Sequence, residues 1–286
     1  KSLIPVFLNE KIMDKFYFGF CNKTIWPLFH YFPSYTIYNN EMWEIYKDVN
    51  EKFSETVCNH ISESDTIWIH DYHLMLLPSM IRKKISNAKI GFFLHIPFPH
   101  YEIFRFLPPI WREEILRGLL GSDLIGFHTN DYTRYFLGAV LRLLGYNNEL
   151  GEILNGERLI KVDTFPMGID FNSFDSISKS SDIIKEYESL KKNYHNQKII
   201  LSIDRLDYSK GILNRLQGFH HFLENNPDWR GKVTMFAVTV PSRIGAERYN
   251  QMKKEIDETI GRINGIYGTL QWIPIVYQFK SFGKEI

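Results

Sequence analysis

The run Ile203-Asp204-Arg205-Leu206-Asp207-Tyr208-Ser209-Lys210-Gly211 joins an apolar strand-like stretch to a helix-patterned one. Arg205 and Lys210 fall in the turn, beside a helix N-terminus, whose unpaired N–H groups and partial positive charge favour an anion. Arg offers a planar fork and Lys a point charge, so a phosphate is one reading of the pair. An internal ion pair between Arg205 and Asp207 is the other. Neither GxxxxGK[ST] nor GxGxxG occurs, which removes an ATPase loop and a nicotinamide fingerprint. The next apolar run ends in Val240-Pro241-Ser242-Arg243, where Arg243 either faces a second anion or is solvated.

Two earlier apolar runs also stop at polar residues: Ile67-Trp68-Ile69-His70-Asp71-Tyr72-His73 and Gly91-Phe92-Phe93-Leu94-His95-Ile96-Pro97-Phe98-Pro99. Four of the ten histidines lie between His70 and His100, which marks the stretch as a polar cluster with a purpose. Ligands of open α/β sheets bind outside the carboxyl ends of strands. Neutral His and ionised Asp suit sugar hydroxyls, which both donate and accept. A metal site at His70, Asp71 and His73 is the weaker reading, because three or more convergent ligands are needed and no HExxH or CxxC accompanies them. His95 is expected to face the same pocket as Asp71; the alternative is a satisfied core histidine. The rings of Tyr17, Trp26 and Tyr31 divide between core and sugar platform, with at least one expected in the core.

The elements that position these residues follow from periodicity. Residues 1–40 read as aromatic and irregular, broken by Gly19, Pro27 and Pro33. Met42, Ile45, Val49, Phe53, Val57 and Ile61 predict an amphipathic helix lying on a sheet. Strands are expected at Thr66–His70, Lys89–His95 and Asp123–His128, with helices between them. Gly121 is expected to cap one helix at its C-terminus, and Asn130 or Asp131 to cap the next at its N-terminus. Asn155-Gly156 marks a hairpin. Residues 172–197 read as a linker carrying one polar helix, Asp182–Tyr194, and divide a domain over 1–180 from one over 195–286. Strand–helix alternation then resumes through Thr269–Tyr277. The expected class is α/β, as two parallel-sheet domains facing a cleft.

The chain has 286 residues, 44% hydrophobic and 23% charged, with a net charge of +1. That composition fits a soluble globular protein, and the charge gives no case for nucleic acid or an anionic membrane. No apolar run reaches the roughly 18 residues of a membrane span. Cys21 and Cys58 are too few for a disulfide framework, so a reducing cytoplasm is expected. The opening Lys1-Ser2-Leu3 and the end after Phe282 read as a fragment lacking sequence on both sides.

Taken together, several runs resemble the trehalose-6-phosphate synthases of glycosyltransferase family 20. They are Trp26–Tyr31, Trp68–Leu74, Gly91–Pro99, Trp111–Leu116 with Asp123–His128, Phe165–Asp170, Asp204–Gly211, Val240–Arg243 and Gly261–Gly265, in family order along the chain. The resemblance implies a GT-B fold of two Rossmann-like domains, the second incomplete here. It implies glucose transfer from UDP-glucose to glucose 6-phosphate with retention, by a front-face course, and no cofactor or metal. By the same resemblance Arg205 and Lys210 hold the diphosphate, His95 contacts the donor glucose, and Asp71 lies beside both sugars. Tyr17, Trp26 and Arg243 are implied for glucose 6-phosphate. The family's Tyr-Asn-Gly-Phe-Ser-Asn reads Tyr17-Phe18-Gly19-Phe20-Cys21-Asn22 here. The implied partners are small-molecule substrates; a homo-oligomer and a fused C-terminal phosphatase domain are both compatible with it. A catalytically silent sugar-phosphate regulator and, more remotely, a metal-dependent hydrolase built on His70, Asp71 and His73 are the rival functions.

Overall fold

The computed structural model describes residues 3–62, 64–194, 197–242 and 247–282. The chain packs as two compact units, Lys1–Gly168 and Ile169–Ile286.

The first unit opens as helix where irregular chain was expected. α1 (Glu10–Met13), a π-helical stretch (Asp14–Ile25) and α2 (Trp26–Phe29) follow one another along the chain, with a kink at Gly19. Of the three expected breakers, Gly19 does interrupt the helix, Pro33 lies beyond it, and only Pro27 is accommodated. Pro27 falls in the first turn of α2, where its missing N–H is not needed. Gly19 departs from helical geometry, and a Cβ there would lie 3.0 Å from the Asp14 carbonyl oxygen.

α3 (Asn40–Cys58) starts at Asn39, whose side chain accepts from the Met42 N–H at 3.0 Å. The helix is where the periodicity put it, but its buried row is Trp43, Tyr46, Val49, Asn50 and Ser54. Met42, Ile45, Phe53 and Val57 are only half-buried. α3 therefore lies on other helices, the π-helical stretch and α4 (Leu77–Lys84), and not on a sheet. Aromatic packing turns the face: Trp43 stacks on Trp111 at 5.4 Å and Phe20 meets Tyr46 at 4.5 Å.

β1 (Thr66–His70), β2 (Lys89–Phe93) and β3 (Leu124–Phe127) run parallel. β4 (Asn148–Glu149), β5 (Glu152–Asn155) and β6 (Arg158–Thr164) complete the sheet in the order β1-β2-β3-β6-β5-β4, with β6 parallel to β3 and the hairpin antiparallel. α5 (Tyr101–Phe104), α6 (Pro109–Leu119) and α7 (Asn130–Leu144) connect them. Leu120, not Gly121, is the C-cap of α6. Gly121 is required for another reason: a Cβ there would sit 2.3 Å from the Ser79 nitrogen on α4. The N-cap of α7 is Thr129, one residue before the expected Asn130.

The second unit begins with two helices in place of the expected linker and single helix, α8 (Phe171–Ser178) and α9 (Ser181–Asn193). β7 (Lys198–Arg205), α10 (Ile212–Asn225), β8 (Val233–Val240), α11 (Glu247–Tyr267) and β9 (Ile275–Phe279) follow. The three strands are parallel, in the order β7-β8-β9. α10 and α11 bury Leu216, Phe219, Ile256 and Ile260 against Val233, Met235 and Ala237 of β8. The strand expected over Thr269–Tyr277 is shorter and starts at Ile275; Thr269 forms only a bridge with Trp272. Among the described residues no helix is long and apolar enough to cross a membrane.

Candidate active site

In the first unit the site is built where β1 and β2 end. Asp71 follows β1 with φ of 73°, a left-handed conformation that a non-glycine residue adopts at a cost. Its N–H donates to the Phe93 carbonyl at 2.8 Å, and its carbonyl accepts from Leu74 N–H at 3.2 Å. In this conformation Oδ1 accepts from the His95 backbone N–H at 3.2 Å. His95 is also tied through its ring, with Nε2 3.0 Å from His70 Nδ1. Phe93 packs beside both His95 and His128, at 4.7 and 4.9 Å between ring centroids. A side chain at residue 126 would collide with that ring, since a Cβ on Gly126 falls 2.7 Å from Phe93 Cδ2.

Partial desolvation holds His95 below the ordinary imidazole value. The Asp71 carboxylate opposes this, while His70 and His128 add to it. His95 is therefore a neutral ring at neutral pH. A cavity of about 860 Å³ on this sheet face is lined by His70 and His95 with Trp68, Gly91, Leu124 and Met167 among others.

The turn after Asp71 is held from behind by α3. The buried Tyr46 hydroxyl donates to the Tyr72 carbonyl at 2.9 Å and accepts from Met75 N–H at 3.0 Å. Burial raises its pKa well above the ordinary phenol value. Asn50 Nδ2 donates to the Tyr46 and His73 carbonyls at 2.9 and 3.1 Å. Tyr17 stacks on His73 at 5.7 Å with an 11° tilt, and Trp26 lies 5.7 Å from the Tyr72 ring. Trp26 is the core member of the aromatic trio, at 6% exposure, whereas Tyr31 is exposed and accepts from His100 N–H at 2.8 Å. Of the two departures within the Tyr17–Asn22 run, Cys21 is fully buried, and Phe18 is half-buried with its ring 5.2 Å from that of Tyr17.

In the second unit β7 ends at Arg205, and the turn Tyr208–Lys210 leads through Gly211, in left-handed conformation, into α10. The acidic residues of this turn are committed elsewhere. Asp207 is buried, and accepts from Ser209 N–H at 2.9 Å and from the Tyr249 hydroxyl at 3.2 Å. Asp204 pairs with Arg215 at 2.7 Å; Arg215 also donates to the Lys210 carbonyl at 3.2 Å and to Ser202 Oγ. Arg205 and Lys210 are exposed and form no ion pair among the described residues. The expected Arg205–Asp207 ion pair is not found among the described residues: the ion pair at this turn joins Arg215 to Asp204, and Asp207 accepts from Ser209 and Tyr249.

Asp71 and His95 are in direct contact, and Tyr17 and Trp26 pack on the turn that follows Asp71. Arg205 and Lys210 share one turn. Arg243 lies outside the described residues. Among the described residues no three His, Cys, Asp or Glu side chains converge as metal ligands, so His70, Asp71 and His73 do not form the triad that a metal would need. The sequence reading passed over Tyr46, Asn50, His128 and Arg215. The first two stand four apart on α3, a spacing that could have revealed them as one polar face.

The profile of glycosyltransferase family 20 matches residues 1–285. The chain belongs to this family. It is 46% identical over 279 residues to a bifunctional trehalose-6-phosphate synthase/phosphatase of Thermoproteus tenax, covering 98% of this chain and 38% of that protein. It is 42% identical to the 56 kDa subunit of the UDP-forming α,α-trehalose-phosphate synthase of Saccharomyces cerevisiae, covering 99% of this chain and 58% of that one. A synthase from Burkholderia xenovorans, solved in complex with glucose 6-phosphate, superposes with a TM-score of 0.90 at 32% identity, over 96% of this chain and 61% of that one. The family member described here has the α/β architecture of the GT-B class, and spans 38 to 61% of the length of these three relatives.

Proposed function

We propose that the protein carrying this chain is a retaining glucosyltransferase, which joins glucose from UDP-glucose to glucose 6-phosphate and releases α,α-trehalose 6-phosphate and UDP. The observation that carries the reading is the turn after β7, where both carboxylates are engaged and, among the described residues, two cations stand unpaired. A diphosphate is the guest such a turn fits. The relatives' names supply its nucleotide and sugar: the yeast subunit is a UDP-forming synthase, and the Burkholderia enzyme was solved with glucose 6-phosphate.

In this reading Arg205 and Lys210 neutralise the charge that grows on the departing UDP, which is where preorganised cations lower a barrier most. Asp71 and the neutral His95 hold the donor glucose by its hydroxyls, and Asp71 also lies beside the acceptor. Tyr17 and Trp26 border the acceptor sugar, and Arg243 takes its phosphate. The acceptor hydroxyl forms its bond to the anomeric carbon on the face that the phosphate leaves. The carbon–oxygen bond to UDP breaks, and the hydroxyl proton passes to the leaving phosphate oxygen. No step needs a cofactor or a metal. The substrates are small molecules, and the reading places the protein in the cytoplasm, where its two cysteines stay free.

The test is direct. Purified full-length protein, given UDP-glucose and glucose 6-phosphate, is expected to release UDP and trehalose 6-phosphate in equal amounts. Absence of the disaccharide phosphate would sink the enzyme reading.

A further inference from the structure

The inference rests on the reading of His95 as a donor-sugar contact. We infer that His70 is the positioning residue for His95, fixing its ring orientation and its tautomer and leaving Nδ1 as the edge presented to the sugar.

The geometry accounts for each edge of the His95 ring. Its backbone N–H is anchored on Asp71 Oδ1 at 3.2 Å. Its Nε2 is taken by His70 Nδ1 at 3.0 Å. The Phe93 and His128 rings pack around it, at 4.7 and 5.5 Å. Nδ1 alone makes no hydrogen bond among the described residues. His70 is itself supported, since Trp68, two residues earlier on β1, stacks on it at 5.3 Å with a 17° tilt.

Proton counting gives the bridge its function. A neutral imidazole has one N–H and one lone pair. One proton occupies the contact between the two nitrogens. Wherever that proton resides, the free nitrogen of His95 is committed to the opposite role, donor or acceptor. A sugar hydroxyl meets either role, but a ring flipping between them loses preorganisation. The bridge survives one added proton and not two, because a second imidazolium leaves no lone pair between the rings. The titratable groups facing His95 are Asp71, His70 and His128, and its lowered pKa keeps the bridge intact at neutral pH.

The experiment is two-bond ¹H–¹⁵N correlation of the imidazoles in ¹⁵N-histidine-labelled full-length protein, on wild type, His70→Ala and His70→Asn. Wild type is expected to show one His95 tautomer. In His70→Ala the His95 signals should become those of a tautomer mixture, with a titration midpoint closer to the ordinary value. In His70→Asn the amide stands near the place of Nδ1 and should restore the single tautomer. In parallel, kcat/KM for UDP-glucose should fall about tenfold in His70→Ala and recover to within about twofold in His70→Asn, while KM for glucose 6-phosphate holds; that is the size of one hydrogen bond. A mixed His95 tautomer in wild type overturns the inference whether or not the variants fold. So does an unchanged tautomer and midpoint in His70→Ala. A wild type that makes no trehalose 6-phosphate would defeat the proposed function, while the spectra would still decide the His70–His95 pairing.

Discussion

At the end of β1 the polar side chains hold one another; at the end of β7 the acidic ones are drawn away and the basic ones are left. Asp71 grips the His95 backbone and His70 grips its ring, so the first region is a mutually bonded cluster of carboxylate and imidazoles. In the second region Arg215 occupies Asp204, and a buried network occupies Asp207, leaving Arg205 and Lys210 as exposed charge. Both regions start from the same grammar of an apolar strand stopped by polar residues. Their difference lies in where the counter-charges go, and it matches two kinds of guest. Hydroxyls need oriented donors and acceptors, whereas a diphosphate needs unpaired cations.

The largest effects should come from removing those cations. Arg205→Ala or Lys210→Ala is expected to lower kcat/KM for UDP-glucose about 10²- to 10³-fold, as loss of a preorganised charge stabiliser does. Steady-state kinetics should show KM for glucose 6-phosphate nearly unchanged; an equal loss for both substrates would break the division of labour. Next comes Asp71→Asn. The amide keeps an acceptor for the His95 N–H and removes only the charge, so kcat should fall up to about 10²-fold while calorimetry finds UDP affinity unaltered. A large loss of UDP binding would show that the two regions do not act separately.

Smaller still is Tyr46→Phe. It strips two buried hydrogen bonds from the turn behind Asp71, and is expected to cost about 1–3 kcal/mol of stability in thermal or urea unfolding. The smallest effect is in pH. His95 is held below the ordinary imidazole value, so donor affinity should stay flat as pH falls through that value and decline only at lower pH. The unfolded chain takes up this proton first. The stabilising contribution is therefore whole above the ordinary value and lost as pH falls through the depressed one. A decline in donor affinity starting at or above the ordinary value would remove His95 as its cause.

The sequence carried the strands well, because a buried parallel strand is a short apolar run whatever surrounds it. β1 was read residue for residue. Fold class and the placing of Asp71, His95, Arg205 and Lys210 at strand ends followed from that. What stayed hidden depends on partners far along the chain. The buried face of α3 is set by Trp111 and by the carbonyls of Tyr72 and His73, none of which its own periodicity encodes. Gly121 looked like a cap and is a contact, a distinction visible only once α4 lies against it. Likewise Arg215, ten residues beyond Arg205, reaches back to Asp204 only because α10 folds onto β7.

The most direct test compares UDP with uridine, which lacks the diphosphate, by calorimetric titration of the full-length protein and of Arg205→Ala/Lys210→Ala. The unpaired cations predict that wild type prefers UDP strongly, and that the double variant loses most of this preference while its affinity for uridine holds. An undiminished preference for UDP in the double variant would contradict the assignment of the diphosphate to this turn.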